Sequence, residues 1–87
     1  MKNLTQENLK QFTEIHNLMD EKAEEVFNKY YPNQRMDFEH VSFQEDGKMY
    51  IEFDWHGDWE HVTLPTEWLL LDDANLEAAI TSHKANQ

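Results

Sequence analysis

The chain has 87 residues, no cysteine, and 18 acidic against 7 basic side chains, a formal net charge of −11 with histidine neutral. That length holds one domain (1–87) with one core, which buries only about 60–65% of the unfolded surface. The missing thiols exclude a disulfide framework and a thiolate metal site, and the charge argues against direct binding to nucleic acid or anionic membranes.

Five Phe, three Tyr and three Trp supply enough aromatic surface for a packed core rather than a disordered chain. Residues 1–36 carry a net charge of −1, residues 37–77 carry −11 with Lys48 their only base, and Lys84 adds +1. The acid is therefore concentrated in the middle and later chain, where it either serves solubility or attracts a basic partner surface. The opening residues hold no apolar stretch of the kind a secretory leader needs. The longest apolar run, Trp68–Leu71, is far too short to cross a bilayer. A cytoplasmic protein without a cofactor is the expectation.

The first element reads as a long helix over about residues 4–30, capped by Asn3 or Thr5. Leu9, Phe12, Ile15, His16, Met19, Ala23, Val26, Phe27 and Tyr30 recur at helical spacing on one stripe. Tyr31-Pro32 ends the helix, because proline disfavours helical geometry at the residue before it. Such a helix is roughly 40 Å long, more than a small sheet covers, and Leu18 points away from the stripe.

Beyond Asn33 the apolar period changes from 3.6 to 2, and the only glycines, Gly47 and Gly57, punctuate three alternating runs. Gln44–Lys48 suits a type I turn with Gly47 in the left-handed bulge position, which opposes Phe43 to Met49 and Val41 to Ile51. His56-Gly57-Asp58-Trp59 suits a two-residue turn with glycine first, which opposes Phe53 to Val62 and Ile51 to Leu64. Both turns give one apolar face of Val41, Phe43, Met49, Ile51, Phe53, Trp55, Val62 and Leu64, expected to carry Phe12, Met19 and Val26 of the helix. A short helical turn follows over Thr66–Leu71. Asp72 or Asp73 then caps a last helix with Leu76, Ala79, Ile80 and His83 on one side. The expected fold is α+β: a long N-terminal helix packed on a three-stranded antiparallel meander, followed by short C-terminal helices.

The opposite face of that sheet would carry Phe38, His40, Ser42, Tyr50, Glu52, Asp54, His56, Trp59, His61 and Thr63. Pairing His40 with Glu52 and Asp54 with His61 suggests a divalent metal site of His40, Glu52, Asp54 and His61; the same residues also read as two cross-strand pairs on a solvated face. Asp54 and His61 could form an acid–base dyad, but no activated nucleophile, glycine-rich phosphate loop or arginine cluster accompanies them, so no catalytic residues are assigned. Phe38, Tyr50 and Trp59 either lie beneath a C-terminal segment bearing Trp68, Leu69 and Leu71 or form an open aromatic patch. Carboxylates two apart on a strand project to one side about 6.5–7 Å apart. Asp37 with Glu39, Glu52 with Asp54 and Asp58 with Glu60 share that spacing, comparable to successive phosphates of one nucleic-acid strand.

The small size, the concentrated acid and the stretch Leu64-Pro65-Thr66-Glu67-Trp68-Leu69-Leu70-Leu71-Asp72-Asp73 resemble many small phage-encoded proteins. Inhibitors of bacterial defence nucleases and nucleic-acid mimics are common among these, so the resemblance implies an anti-defence role and assigns no residue. The function expected is a non-enzymatic inhibitor or adaptor docking on a basic, nucleic-acid-binding protein. Its contacts would come from Asp37, Phe38, Glu39, Tyr50, Glu52, Asp54, Asp58, Trp59 and Glu60. A small metal- or ligand-binding module is the alternative, and a structural subunit oligomerising through the N-terminal helix is a third.

Overall fold

A computed structural model describes residues 3–33 and 35–86. It has the α+β order expected: α1 (Gln6–Tyr30), β1 (Met36–Phe43), β2 (Lys48–Trp55), β3 (Asp58–Pro65), a 3-10 turn η1 (Thr66–Leu70) and α2 (Asp73–Ala85). The strands form one antiparallel sheet in the order β1-β2-β3.

Thr5 caps α1, its side-chain oxygen accepting the Asn8 N–H at 3.1 Å. The helix stops at Tyr31, next to Pro32, and its 25 residues extend about 37 Å. Asp72 caps α2 in the same way, through the Asn75 N–H at 2.8 Å. Between β1 and β2, Gly47 adopts a φ of +80°, and Gln44 and Lys48 close the turn through a 2.8 Å backbone bond. Phe43 therefore opposes Met49 and Val41 opposes Ile51, as the turn chemistry predicts.

Two details depart from the sequence expectation. Glu39 is an extra residue in β1: Phe38 pairs with Phe53 but His40 pairs with Glu52. This β-bulge reverses the alternation before it. Phe38 swings from the outer face to the helix side, its ring 5.8 Å from that of Phe27, and Asp37 takes a place on the outer face. The second departure lies at the β2–β3 turn, where the central residues are His56 (φ +56°) and Gly57 (φ +87°). Two positive φ angles make this a type I′ turn, whose twist matches that of the strands, rather than one with glycine first. Phe53 consequently opposes Glu60 instead of Val62, Ile51 opposes Val62 and Met49 opposes Leu64. The β2–β3 register differs by two residues, so every side chain of β3 keeps the face expected of it.

Only the C-terminal half of α1 sits on the sheet. Ala23, Val26, Phe27 and Tyr30 are buried against Val41, Met49, Ile51, Phe53 and Leu64, with Phe27 and Phe53 ring centres 5.1 Å apart. Met19 is half-buried, and Phe12, expected in the core, is 64% exposed. An eight-residue strand spans about 27 Å, so the sheet ends before the helix does. The C-terminal segment completes the core from the same side. Trp68 lies 6.2 Å from Tyr30, centre to centre, and Leu76 and Ile80 are buried beside it. Lys84 Nζ donates to the Tyr30 carbonyl oxygen and lies over the Tyr30 ring, closing the end of α1. Among the described residues, no helix is long and apolar enough to cross a membrane.

Candidate interaction face of the sheet

With the helices and η1 all on one side, the other side of the sheet is open. Its side chains stand in three cross-strand rows from β1 through β2 to β3: Ser42, Tyr50 and Thr63; His40, Glu52 and His61; Asp37, Asp54 and Trp59. His40, Asp37, Trp59, His61 and Thr63 are exposed, and the central Tyr50, Glu52 and Asp54 are half-buried by their strand neighbours. Trp59 is 67% exposed, so the open aromatic patch of the two readings is the one the fold adopts, without Phe38.

Five of the nine candidate contact residues come together here: Asp37, Tyr50, Glu52, Asp54 and Trp59. Glu39 lies in the bulge between Asp37 and His40. Phe38 does not join them, because the bulge turns it into the core region. Asp58 pairs with Trp55 and Glu60 with Phe53, which places both on the helix side of β3, near the hairpin end. The charge of Glu60 acts there on the Tyr31 phenol, whose pKa is raised by burial first, then by Tyr30 and Glu60.

Among the described residues, no ion pair engages the carboxylates of this face; those present are His16–Asp20 and Lys29–Asp73, both away from the sheet. Asp54 is held instead by the hairpin, its Oδ1 accepting the Gly57 N–H at 2.7 Å. That bond fixes the carboxylate beside Trp59 and leaves its second oxygen outside this contact. Asp37, directly opposite Asp54, places a second negative charge in the same row.

The middle row is His40–Glu52–His61, so one carboxylate lies between two imidazoles. The register moves the partner of His61 from Asp54, as expected from the sequence, to Glu52. The His61 ring stacks on Tyr50 at a centroid distance of 4.9 Å and an interplanar angle of 20°. Turned onto Tyr50, it does not converge with His40 and Glu52. Among the described residues, no group of three or more His, Asp or Glu side chains is placed to hold a metal ion.

One feature of the surface was only partly legible in the sequence. Leu4, just ahead of α1, and Leu9, Phe12, Ile15 and Leu18 along its free half are all more than half exposed. The mismatch between helix and strand length was its signal. Compared with known proteins, the chain matches no protein-family model, no curated protein and no solved structure.

Proposed function

We propose that the chain is a non-enzymatic inhibitor or adaptor that docks its open sheet face on a basic, nucleic-acid-binding surface of another protein. The observation that carries this reading is the placing of Asp37, Glu52 and Asp54 on one open face with no cation paired to them among the described residues. Carboxylates without a paired cation keep their attraction for a partner's lysines and arginines, and the hairpin bond holds that of Asp54 in place before binding. Trp59 and Tyr50 beside them add the aromatic contacts that dominate binding energy in many interfaces. Glu52 and Asp54 project from alternate positions of one strand, about 6.5–7 Å apart. That spacing suits sites which otherwise hold successive phosphates, so the reading extends to nucleic-acid mimicry of the anti-defence kind.

The test is competition on the partner recovered from the native host. A mimic is displaced by the DNA or RNA of that partner, and its binding weakens as salt rises from ~50 to ~200 mM because screening shortens the reach of its charge. Binding that persists at high salt and coexists with bound nucleic acid refutes mimicry and leaves Trp59 and Tyr50 as the main contacts.

A further inference from the structure

The free half of α1 carries an apolar stripe that the fold does not use. Phe12 is 64% exposed, Ile15 58%, and Leu9 and, just ahead of the helix, Leu4 also lie above one half. Leu70 joins them from η1 at 88%. Two grooves flank the stripe where it meets the body. One, of about 440 Å³, runs between Phe12, His16 and Met19 and the β1 residues His40–Phe43. The other, of about 330 Å³, lies between Ile15, Met19, Leu69 and Leu70, with Glu67 and Thr66 at its edge.

The charges around the stripe indicate what covers it. Over residues 4–18 the fixed charges are Glu7, Lys10 and Glu14. At 100° per residue all three fall on the side of the helix away from Phe12. The flanks of the stripe are Asn8, Gln11 and Thr13, which are neutral, and His16, which pairs with Asp20 at 3.3 Å. A surface built for a basic partner would be rimmed with acid, as the sheet is. Apart from Glu67 at one groove the rim carries no fixed charge, which suits a partner of the same sign, and in a chain of charge −11 this is where two copies can approach. The area is of the right order: Leu4, Leu9, Phe12, Ile15 and Leu70 present on the order of 600 Å², and their neutral neighbours widen the patch toward the roughly 800 Å² each partner gives to a stable interface.

We infer that this stripe is a self-association surface, on which the N-terminal halves of two α1 helices pair antiparallel about Phe12 in a symmetric dimer. In that arrangement Leu9 of each copy meets Ile15 of its mate, and the first turn of each helix lies toward the other's groove beside Leu70. Antiparallel pairing also sends the two sheets to opposite ends. Ala23, where full burial begins, lies eleven residues from Phe12, so the buried halves of the two helices lie on opposite sides of the contact. A parallel pair would set the acidic bodies side by side. The dimer leaves the sheet faces free and stands independently of what they bind.

Sedimentation equilibrium of the whole chain over ~1–100 μM tests this. The expected result is a dimer whose dissociation constant rises about 100-fold or more in Phe12→Glu and in Ile15→Glu, which replace exposed side chains. Circular dichroism of both variants stays native, and Glu52→Lys does not weaken the dimer. Rising salt tightens it, because the copies repel. Orientation is read by single cysteines, which the natural chain lacks: Phe12→Cys cross-links on mild oxidation and Leu4→Cys does not. A chain that stays monomeric throughout that range refutes the inference. So does cross-linking through Leu4→Cys, or a dimer that Phe12→Glu and Ile15→Glu both leave intact.

Discussion

Phe38 stands opposite Phe53 on the helix side of the sheet, although strict alternation from His40 would turn it to the outer face. The extra residue, Glu39, makes the difference. Phe53→Ala should therefore cost about 3–5 kcal/mol, as for a buried aromatic, and Phe38→Ala roughly 1–3 kcal/mol, since Phe38 is half-buried against Phe27. Urea denaturation measures both. A Phe38→Ala change within about 0.5 kcal/mol of the parent is the value for an outward-facing residue and would contradict the bulge.

The β2–β3 turn places a histidine where the backbone favours asparagine or glycine. His56 at φ +56° bears the strain that β-carbons meet in the left-handed region. His56→Asn should stabilise the domain by about 0.5–1 kcal/mol, and Gly57→Ala should destabilise it by about 1 kcal/mol or more. Each kcal/mol corresponds to a thermal midpoint shift of about 4–8 °C in a domain of this size. A turn with only Gly57 at positive φ would show no gain from His56→Asn.

Tyr31 gives a pH dependence of known sign. Burial, Tyr30 and Glu60 raise its phenol pKa above the ordinary 10.0, so folding favours the neutral form. The corresponding stability is fully present below pH 10 and is lost as pH rises through the folded-state value. Tyr31→Phe should remove that part of the alkaline decline, and Glu60→Gln should reduce it. The difference in unfolding free energy between parent and variant, followed from pH 8 to 11, reports it. A constant difference across that range would show that Tyr31 titrates as in the unfolded chain.

Metal binding at His40, Glu52, Asp54 and His61 can be checked directly. The His61 ring lies on Tyr50 rather than toward His40. The thermal midpoint should therefore not rise with added zinc or manganese, in the parent or in the His40→Ala/His61→Ala variant. A saturable rise at micromolar metal, lost in the variant, would reinstate that site.

Reversal of the acidic row separates the two surfaces. Glu52→Lys with Asp54→Lys should weaken docking to the native partner far more than Glu14→Lys with Glu21→Lys on α1. Trp59→Ala should leave stability within about 0.5 kcal/mol and still weaken docking, because the side chain is 67% exposed. Calorimetric titration of the partner provides both comparisons. Equal loss from the two reversals would mean that overall charge, rather than the sheet face, drives the encounter.

Turn chemistry and alternation were enough to read the helix, the three strands and the apolar face, because each rests on local geometry. Gly47 behaves as its neighbours require, and Phe43 meets Met49 accordingly. Glu39 was not legible: a bulge has no composition of its own, and nothing in Asp37-Phe38-Glu39-His40 marks the residue that will leave the ladder. His56 was missed for a related reason, since a β-carbon at positive φ is the less favoured choice and the hairpin imposes it. At the candidate face, the grouping of Tyr50, Glu52, Asp54 and Trp59 followed from parity alone and survives the two-residue change of register. The arrival of Asp37 and the departure of Phe38 follow from the bulge.

The contact of Lys84 with the Tyr30 carbonyl joins the first helix to the last. During synthesis α1 leaves the ribosome long before Leu76, Ile80 and Lys84 exist, so its buried half waits for side chains not yet made. The nascent helix is thus an unfinished one, with its sheet-facing half and its free half equally bare. Translation order therefore decides when the two halves of one helix acquire different fates.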